Sequence, residues 1–119
     1  MVATEKLQNI KKYYFNLLPS ISEESWKVYE NIFTERTFKK DAFLLTPGTV
    51  CNYGSYINYG LIRMYYAVDD REHVAGFFIE DTTFSDYQSF LTRQPSRMYI
   101  QALEDTEVLD TSYDAVQYL

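Results

Sequence analysis

The first 33 residues carry apolar side chains at the spacing of amphipathic helices. Pro19 is predicted to end the first helix, because proline has no backbone N–H to continue the hydrogen-bond ladder. Ser22 is predicted to begin a second helix, since a serine at this position can cap the first turn. The apolar face of the first helix, within residues 4–18, consists of Leu7, Ile10, Tyr14 and Leu17. The predicted buried face of the second helix consists of Trp26, Tyr29, Ile32 and Phe33.

From Thr34 onward the pattern changes to short β-prone segments separated by turn residues. Strands are predicted around Phe38 and at 43–45, followed by a turn at Pro47-Gly48. The run "YINYGLIRMYYAV" that follows is strongly β-prone, and Gly60 inside it predicts a bulge or a tight bend.

The second half of the β-prone region continues in the same way. Asp69-Asp70 predicts the turn of a hairpin whose returning strand is "EHVAGFFI". Further strands are expected near 98–103 and 107–109, and Ser112 is expected to cap a final helix, "YDAVQYL".

This order of elements predicts a single domain of the α+β class that is mainly β. The expected architecture is an antiparallel double-stranded β-helix, or jelly roll, of about eight strands, flanked by N-terminal helices and the start of a C-terminal helix. The expected division is a helical segment at 1–33, the jelly roll at 34–111 and the start of the C-terminal helix at 112–119.

Composition narrows the possible functions. The chain has 119 residues, is 46% hydrophobic and has 12 Tyr and 8 Phe, which suits a packed, strand-rich domain. A net charge of −6 disfavours nucleic-acid binding through phosphate neutralisation. Cys51 is the single cysteine, so no internal disulfide or multi-cysteine metal site can form. No membrane span or signal peptide is indicated, and we expect a cytoplasmic protein.

The residues that enzymes commonly use are scarce. A metal-dependent jelly-roll enzyme needs several histidines, and this chain has only His73, beside a charged turn. There is no nucleophile elbow, Walker loop or dinucleotide fingerprint. We therefore expect a binding domain rather than an enzyme, with no metal site and no certain cofactor.

One bend in the second half concentrates groups that bind anions. Arg93, Ser96 and Arg97 surround Pro95, and a short helix is expected just before them at 85–90. Guanidinium, hydroxyl and helix amide groups are donors that hold phosphate or carboxylate groups. The sequence therefore indicates a possible anion cradle in "FSDYQSFLTRQPSRMYIQALEDTEVL".

Over nearly its whole length the chain resembles the sensor domain of the Crp/Fnr family of transcription regulators. "ISEESWKVYENIF" is similar to the N-terminal helix of that family, and "FKKDAFLLTPGTVCNYGSYINYGLIRMYY" to its early strands, with Pro47-Gly48 and Gly60 at its turn and bulge positions. "RQPSRMYIQALEDTEVLDTSYDAVQYL" resembles the end of the phosphate-binding cassette, the last strands and the beginning of the C-terminal helix.

The resemblance implies a cyclic-nucleotide-binding jelly roll that responds to a small-molecule effector. It also implies DNA binding only through a helix-turn-helix domain that this chain lacks, and a possible homodimer through the C-terminal helix. The sequence leaves open whether the chain is the sensor part of a longer regulator or a stand-alone domain. The main alternative is an interaction module with a vestigial pocket; a jelly-roll enzyme ranks below both.

The cassette motif departs from the pattern of the nucleotide-binding members. Those members have Gly-Glu for the ribose and, ten positions beyond the Glu, Arg-Ser for the phosphate, followed by Ala. Without gaps, Ser85-Asp86 matches Gly-Glu, Ser96-Arg97 matches Arg-Ser, and Met98 matches Ala. The shorter acid, the reversed pair and the bulky Met98 argue against cyclic AMP, while a cyclic nucleotide or another small anion remains the implied ligand. The candidate binding residues are Ser85, Asp86, Tyr87, Arg93, Ser96, Arg97 and Met98.

The orientation of Arg97 decides whether this cassette can work. Neighbouring side chains of a strand face opposite sides, so the reversed order could turn Arg97 out of the pocket, and an irregularity at Pro95 could turn it back. A buried guanidinium needs an acid or an anion. If Arg97 points inward, we therefore expect Asp86 to pair with it when the pocket is empty.

Overall fold

Two four-stranded antiparallel sheets form the body of the protein. The computed structural model describes residues 2–117. The helices are α1 (Thr4–Leu17), α2 (Glu23–Tyr29), α3 (Tyr87–Thr92) and α4 (Tyr113–Gln117). The strands are β1 (Thr34–Phe38), β2 (Phe43–Leu45), β3 (Tyr53–Tyr59), β4 (Leu61–Val68), β5 (Arg71–Ile79), β6 (Thr83–Phe84), β7 (Tyr99–Ala102) and β8 (Thr106–Ser112). One sheet has the order β1-β8-β3-β6, and the other has the order β2-β7-β4-β5.

The main hydrophobic core lies between the two sheets. Ile57 and Val108 from the first sheet are fully buried, as are Ile62 and Ala102 from the second. A second cluster covers the opposite face of the first sheet, where Ile10 of α1 joins other apolar residues: Val2, Trp26, Phe33, Tyr56 and Leu109. Because β8 is central and covered on both faces, its residues from Thr106 to Asp110 are all buried.

An ionic network fastens α1 to the first sheet. The Lys6 ammonium donates to Glu35 at 2.8 Å and to Glu107 at 2.7 Å, and Asn58 donates to the second oxygen of Glu107 at 2.7 Å. These acceptors raise the pKa of Lys6. Burial of Glu107 works against ionisation, but the hydrogen bonds from Lys6 and Asn58 outweigh it and lower the pKa of that carboxyl group.

Gly60 takes the chain from one sheet to the other. It separates β3 from β4, and its φ of +119° lies in a region that L side chains rarely adopt. A Cβ atom there would lie 2.2 Å from Thr106 Oγ1. The tight bend predicted from Gly60 is confirmed, and the long β-prone run proves to be two strands in different sheets.

The predicted fold class is confirmed, as is the number of about eight strands. Two capping predictions are also confirmed: Ser22 Oγ accepts from the Ser25 amide at 3.1 Å, and Ser112 Oγ accepts from the Ala115 amide at 3.0 Å. Asp69 and Asp70 both have positive φ and close the predicted hairpin turn. The end of the predicted final helix, 118–119, lies outside the described residues.

Several N-terminal predictions are wrong. Helix α2 ends at Tyr29, so Ile32 and Phe33 lie beyond it. Leu17 and Tyr29 are exposed rather than buried, because α1 and α2 present only part of their apolar faces to the sheet. In the part of the chain that the structure describes, no helix is long and apolar enough to cross a membrane.

Candidate functional site

The anion-cradle segment forms a turn around helix α3. Asp86 is the N-cap of α3, and its side chain accepts from the Ser89 amide at 3.4 Å. Arg93 ends the helix in the left-handed conformation, with φ of 63°. The predicted helix is therefore present, but it covers Tyr87–Thr92 rather than 85–90. The chain then passes Pro95, which bridges to Val50, and enters β7 at Tyr99.

This turn borders an open groove of about 550 Å³. Four of the seven predicted site residues line it: Asp86, Ser96, Arg97 and Met98. Six further lining residues are Tyr66, Gln88, Ser89, Thr92, Gln94 and Pro95. Apart from Tyr66 on β4, the groove is built by residues 86–98 alone.

Ser96 is fixed at the centre of the groove wall. Its hydroxyl donates to Asp86 Oδ2 at 2.5 Å and accepts from the Met98 amide at 2.9 Å. Its backbone is held by the loop before β3, through Thr49 O at 2.8 Å and the Gly48 amide at 2.9 Å. Ser96 is 4% exposed, so its side chain is part of the scaffold of the groove.

Arg97 differs from its neighbours because it is exposed. Within residues 2–117 its guanidinium makes no hydrogen bond or ion pair. Because Arg97 is exposed, the condition for its pairing with Asp86 is not met, and Asp86 accepts instead from the Ser96 hydroxyl and from the Ser89 amide. Arg97 offers a cation to the groove with all its donors available.

Arg93 lies outside the groove, and its guanidinium binds other parts of the chain. Its Nη1 donates to Cys51 O at 3.2 Å and to Phe90 O at 3.0 Å, and its Nη2 donates to Asn52 Oδ1. The guanidinium also lies 3.8 Å from the centroid of the Tyr113 ring. Arg93 therefore joins α3 to the loop before β3 and to the beginning of α4.

The remaining two predicted residues also face away from the groove. Ser85 is buried and donates to Tyr53 O at 2.9 Å, toward the space between the sheets. Tyr87 is 58% exposed and lies on the side of α3 near α1. The seven predicted residues thus lie in four different surroundings.

Gln88, Thr92, Gln94 and Tyr66 line the groove but were not predicted from the sequence. The first three lie within the segment that was recognised, at positions that face the groove once α3 forms. Tyr66 comes from a distant strand, and its only sequence signal is that it follows Tyr65 in a run of aromatics. Its ring stacks on His73 with centroids 5.1 Å apart, so the single histidine belongs to this hairpin. Residues 2–117 contain no group of three His, Cys, Asp or Glu side chains that could hold a metal.

Comparison with known proteins identifies the family. The family model described as the cyclic nucleotide-binding domain matches residues 35–119, which include the whole jelly roll and the groove. The chain belongs to the cyclic nucleotide-binding domain family. No curated protein matches its sequence.

Solved structures similar to this chain include a regulatory domain of PKA and transcription regulators. The regulatory domain of Toxoplasma gondii PKA with cAMP matches with a TM-score of 0.84 and 12% identity, over 99% of this chain and 46% of that chain. The sensor domain of the transcriptional regulator DNR from Pseudomonas aeruginosa matches with a TM-score of 0.79 and 15% identity. The match covers 97% of this chain and 79% of that chain. The CO-dependent transcription factor CooA from Carboxydothermus hydrogenoformans matches with a TM-score of 0.62 and 30% identity. The match covers 86% of this chain and 43% of that chain. The chain therefore spans less than half the length of the PKA and CooA structures.

Proposed function

We propose that this cyclic nucleotide-binding domain is the effector-sensing domain of a Crp/Fnr-type transcription regulator. Identity to CooA, a transcription factor, is 30%, whereas identity to the PKA regulatory domain is 12%. The DNR sensor domain has a similar extent, since the match covers 79% of it. In this proposal DNA is bound by another domain of the full protein, and the helix that begins as α4 continues into a dimer contact.

The effector that we propose is a small anion bound in the groove. The observation that carries this proposal is the exposed Arg97 guanidinium, which lies on a groove of about 550 Å³ and has no partner within the described chain. A guanidinium presents a fork of N–H donors that matches phosphate and carboxylate oxygens. The volume falls in the range of small-molecule sites.

Asp86 adds a second requirement for the effector. Its carboxylate accepts from Ser96 and from the Ser89 amide, and it retains lone pairs for further donors. A ligand group near Asp86 must therefore donate hydrogen bonds, while a ligand group near Arg97 must accept them. An anion that also carries hydroxyl groups, such as a phosphorylated sugar or a nucleotide, satisfies both.

Met98 and the short Asp86 side chain disfavour cyclic AMP in particular. Met98 lines the groove and takes up space beside Arg97. Asp86 is held in the N-cap position of α3, so it cannot extend toward the ribose of a cyclic nucleotide, whose position is fixed by fusion to the phosphate ring, without releasing the helix. We expect cyclic AMP to bind weakly or not at all.

Titration calorimetry tests the proposal with inorganic phosphate, ribose 5-phosphate, cyclic AMP and cyclic GMP. Ribose 5-phosphate is expected to bind more tightly than phosphate, and Arg97→Ala is expected to weaken it by about tenfold or more, the effect of losing a charge-assisted hydrogen bond. Arg71→Ala removes another exposed arginine and is expected to leave binding unchanged.

Two results would contradict the proposal. If none of the four compounds binds, the alternative of an interaction module with a vestigial pocket is favoured. If a compound binds equally well to wild type and to Arg97→Ala, the anion does not contact Arg97.

A further inference from the structure

The outer side of the second sheet carries a contiguous apolar surface. Ile62, Met64 and Ile100 point into the core between the sheets, so the residues that alternate with them along β4 and β7 point outward. Cross-strand pairing brings outward side chains of all four strands together. Six of them form a surface that we call the aromatic face: Phe43, Arg63, Tyr65, Phe77, Ile79 and Tyr99.

The aromatic face is open to solvent. Helices α1 and α4 pack on β3 and β8, which belong to the first sheet. On the edge strand β5, Phe77 is 59% exposed and Ile79 is 60% exposed, and Phe43 on the opposite edge strand is 43% exposed. Large apolar side chains grouped on a surface in this way mark a site of association.

Stacked side chains hold the centre of the aromatic face in place. The rings of Tyr65 and Tyr99 stack with their centroids 4.9 Å apart, and the Phe43 ring lies 5.7 Å from that of Tyr99. The guanidinium carbon of Arg63 lies 4.0 Å from the Tyr65 ring centroid. Because these side chains are already ordered, a partner that docks on them loses little affinity to side-chain ordering.

The aromatic face carries no net charge. Arg63 is the only charged residue among its six members, and its Nη1 donates to Glu72 Oε2 at 3.1 Å. Its Nη2 donates to Gln101 Oε1 at 3.2 Å. The chain as a whole has a net charge of −6, so two copies repel each other where their acidic residues meet. At the aromatic face a second copy can approach without bringing like charges together.

The same chemistry makes the aromatic face complementary to itself. Aromatic side chains and arginine are enriched at the centres of protein interfaces, whereas lysine and aspartate are depleted there. A two-fold dimer places the same surface on both sides of the contact, which a neutral apolar surface satisfies without a matching set of opposite charges. Two antiparallel sheets can pack face to face by interdigitating such side chains.

We propose that two copies of this chain associate through their aromatic faces around a two-fold axis. Phe43, Phe77 and Ile79 become buried in the contact. Helix α4 packs on the first sheet, so this contact differs from the dimer contact proposed to continue from α4, and it does not depend on the effector.

The size of the aromatic face sets the expected strength of the association. Four strands about 4.8 Å apart and about 3.3 Å of strand per residue give a face of roughly 400 Å². A stable dimer buries about 800 Å² on each partner. We therefore expect a weak dimer, with a dissociation constant in about the micromolar range or weaker.

Sedimentation velocity of the full chain tests the association. Between about 10 μM and about 500 μM the sedimentation coefficient is expected to rise from that of a monomer toward that of a dimer, as the weak affinity of a small interface requires. A chain that remains monomeric over this whole range would overturn the proposal.

Phe77→Lys tests whether the aromatic face forms the contact. The expected effect is a dimer at least about tenfold weaker, because each copy would bury an ammonium group without a counter-charge. Val28→Lys is the matched control: it makes the same change of charge at an exposed apolar residue of α2, and it should dimerise as wild type does. Unchanged dimerisation of Phe77→Lys would place the contact elsewhere and refute the assignment.

Dilution of the wild-type chain, followed by NMR, locates the contact without any substitution. The backbone amides of 61–65, 77–79 and 99–101 are expected to shift with concentration, while those of 4–17 and 23–29 stay in place. Shifts confined to the helices or to the groove residues 86–98 would contradict the proposal.

Discussion

Gly60 and Gly48 both have a positive φ, but their surroundings differ. At Gly48, with φ of +92°, a Cβ atom would meet nothing within 4 Å. At Gly60, with φ of +119°, it would meet Thr106 Oγ1 at 2.2 Å and the Thr106 Cα at 2.7 Å. Backbone strain applies at both positions, whereas the steric overlap with β8 applies only at Gly60.

Gly60→Ala is therefore expected to destabilise the protein more than Gly48→Ala. Strain alone costs about 1–2 kcal/mol at Gly48, and the displaced backbone of the buried strand should add about 2 kcal/mol or more at Gly60. The free energy of unfolding of both variants, from urea denaturation, measures the difference. Equal losses of unfolding free energy in the two variants would show that Thr106 can move aside without destabilising the protein.

At the groove, the positions of Ser96 and Arg97 could be predicted from the sequence, but their hydrogen bonds could not. The motif "RQPSRM" showed that Ser96 and Arg97 lie beside a bend, and the structure places both at the groove. Ser96 donates to Asp86 because Asp86 is held in the N-cap position of α3, close to Ser96. This geometry arises only on folding, so the bond could not be predicted from the sequence. Asp86 is thereby held at the start of α3 and makes no ion pair with Arg97 within the described residues.

At the level of elements, α1 depends on one ionic network as well as on its apolar face. Lys6 joins Glu35 of β1 and Glu107 of β8. The lowered pKa of Glu107 means that its ionisation favours the folded state above the ordinary value of 4.5, and that this contribution is lost as the pH falls through the folded-state pKa. The raised pKa of Lys6 keeps its contribution until the pH rises above 10.5.

Lys6→Met should therefore lower the free energy of unfolding at about pH 7 and make it less sensitive to acid. The difference from wild type is expected to shrink as the pH is lowered from about 7 and falls through the folded-state pKa of Glu107, because the protonated carboxyl group no longer attracts the Lys6 ammonium. Urea denaturation across this pH range measures it. Lys12→Met is the control, because Lys12 is exposed on the same helix and makes no ion pair within the described residues.

Elements were predictable where local chemistry specifies them. Ser22, Asp69-Asp70 and Gly60 act through caps, turns and bends that depend on their own backbone, and each prediction at these positions is confirmed. Ile32 lies beyond the end of α2, whereas the failures at Leu17 and Tyr29 concern which part of a helix meets the sheet. That choice is made by packing on Tyr56 and Leu109, which lie far away in sequence.

At the scale of the whole molecule, acidic residues outnumber basic ones, so an arginine without a carboxylate partner is unexpected. The chain carries a net charge of −6, yet Arg97 remains exposed at a groove without an ion pair within the described residues. Arg36, Arg63 and Arg93, by contrast, are engaged by carboxylates, amides or carbonyl groups. We therefore propose Arg97 as the residue that contacts the effector.

The most direct test is NMR detection of the arginine side-chain N–H groups during a titration with ribose 5-phosphate. We predict that the Arg97 signal shifts with the ligand and sharpens as its guanidinium becomes fixed. The signals of Arg93, whose donors are occupied, and of Arg71 are predicted to stay in place. An unchanged Arg97 signal at a ligand concentration that saturates binding would contradict the central claim.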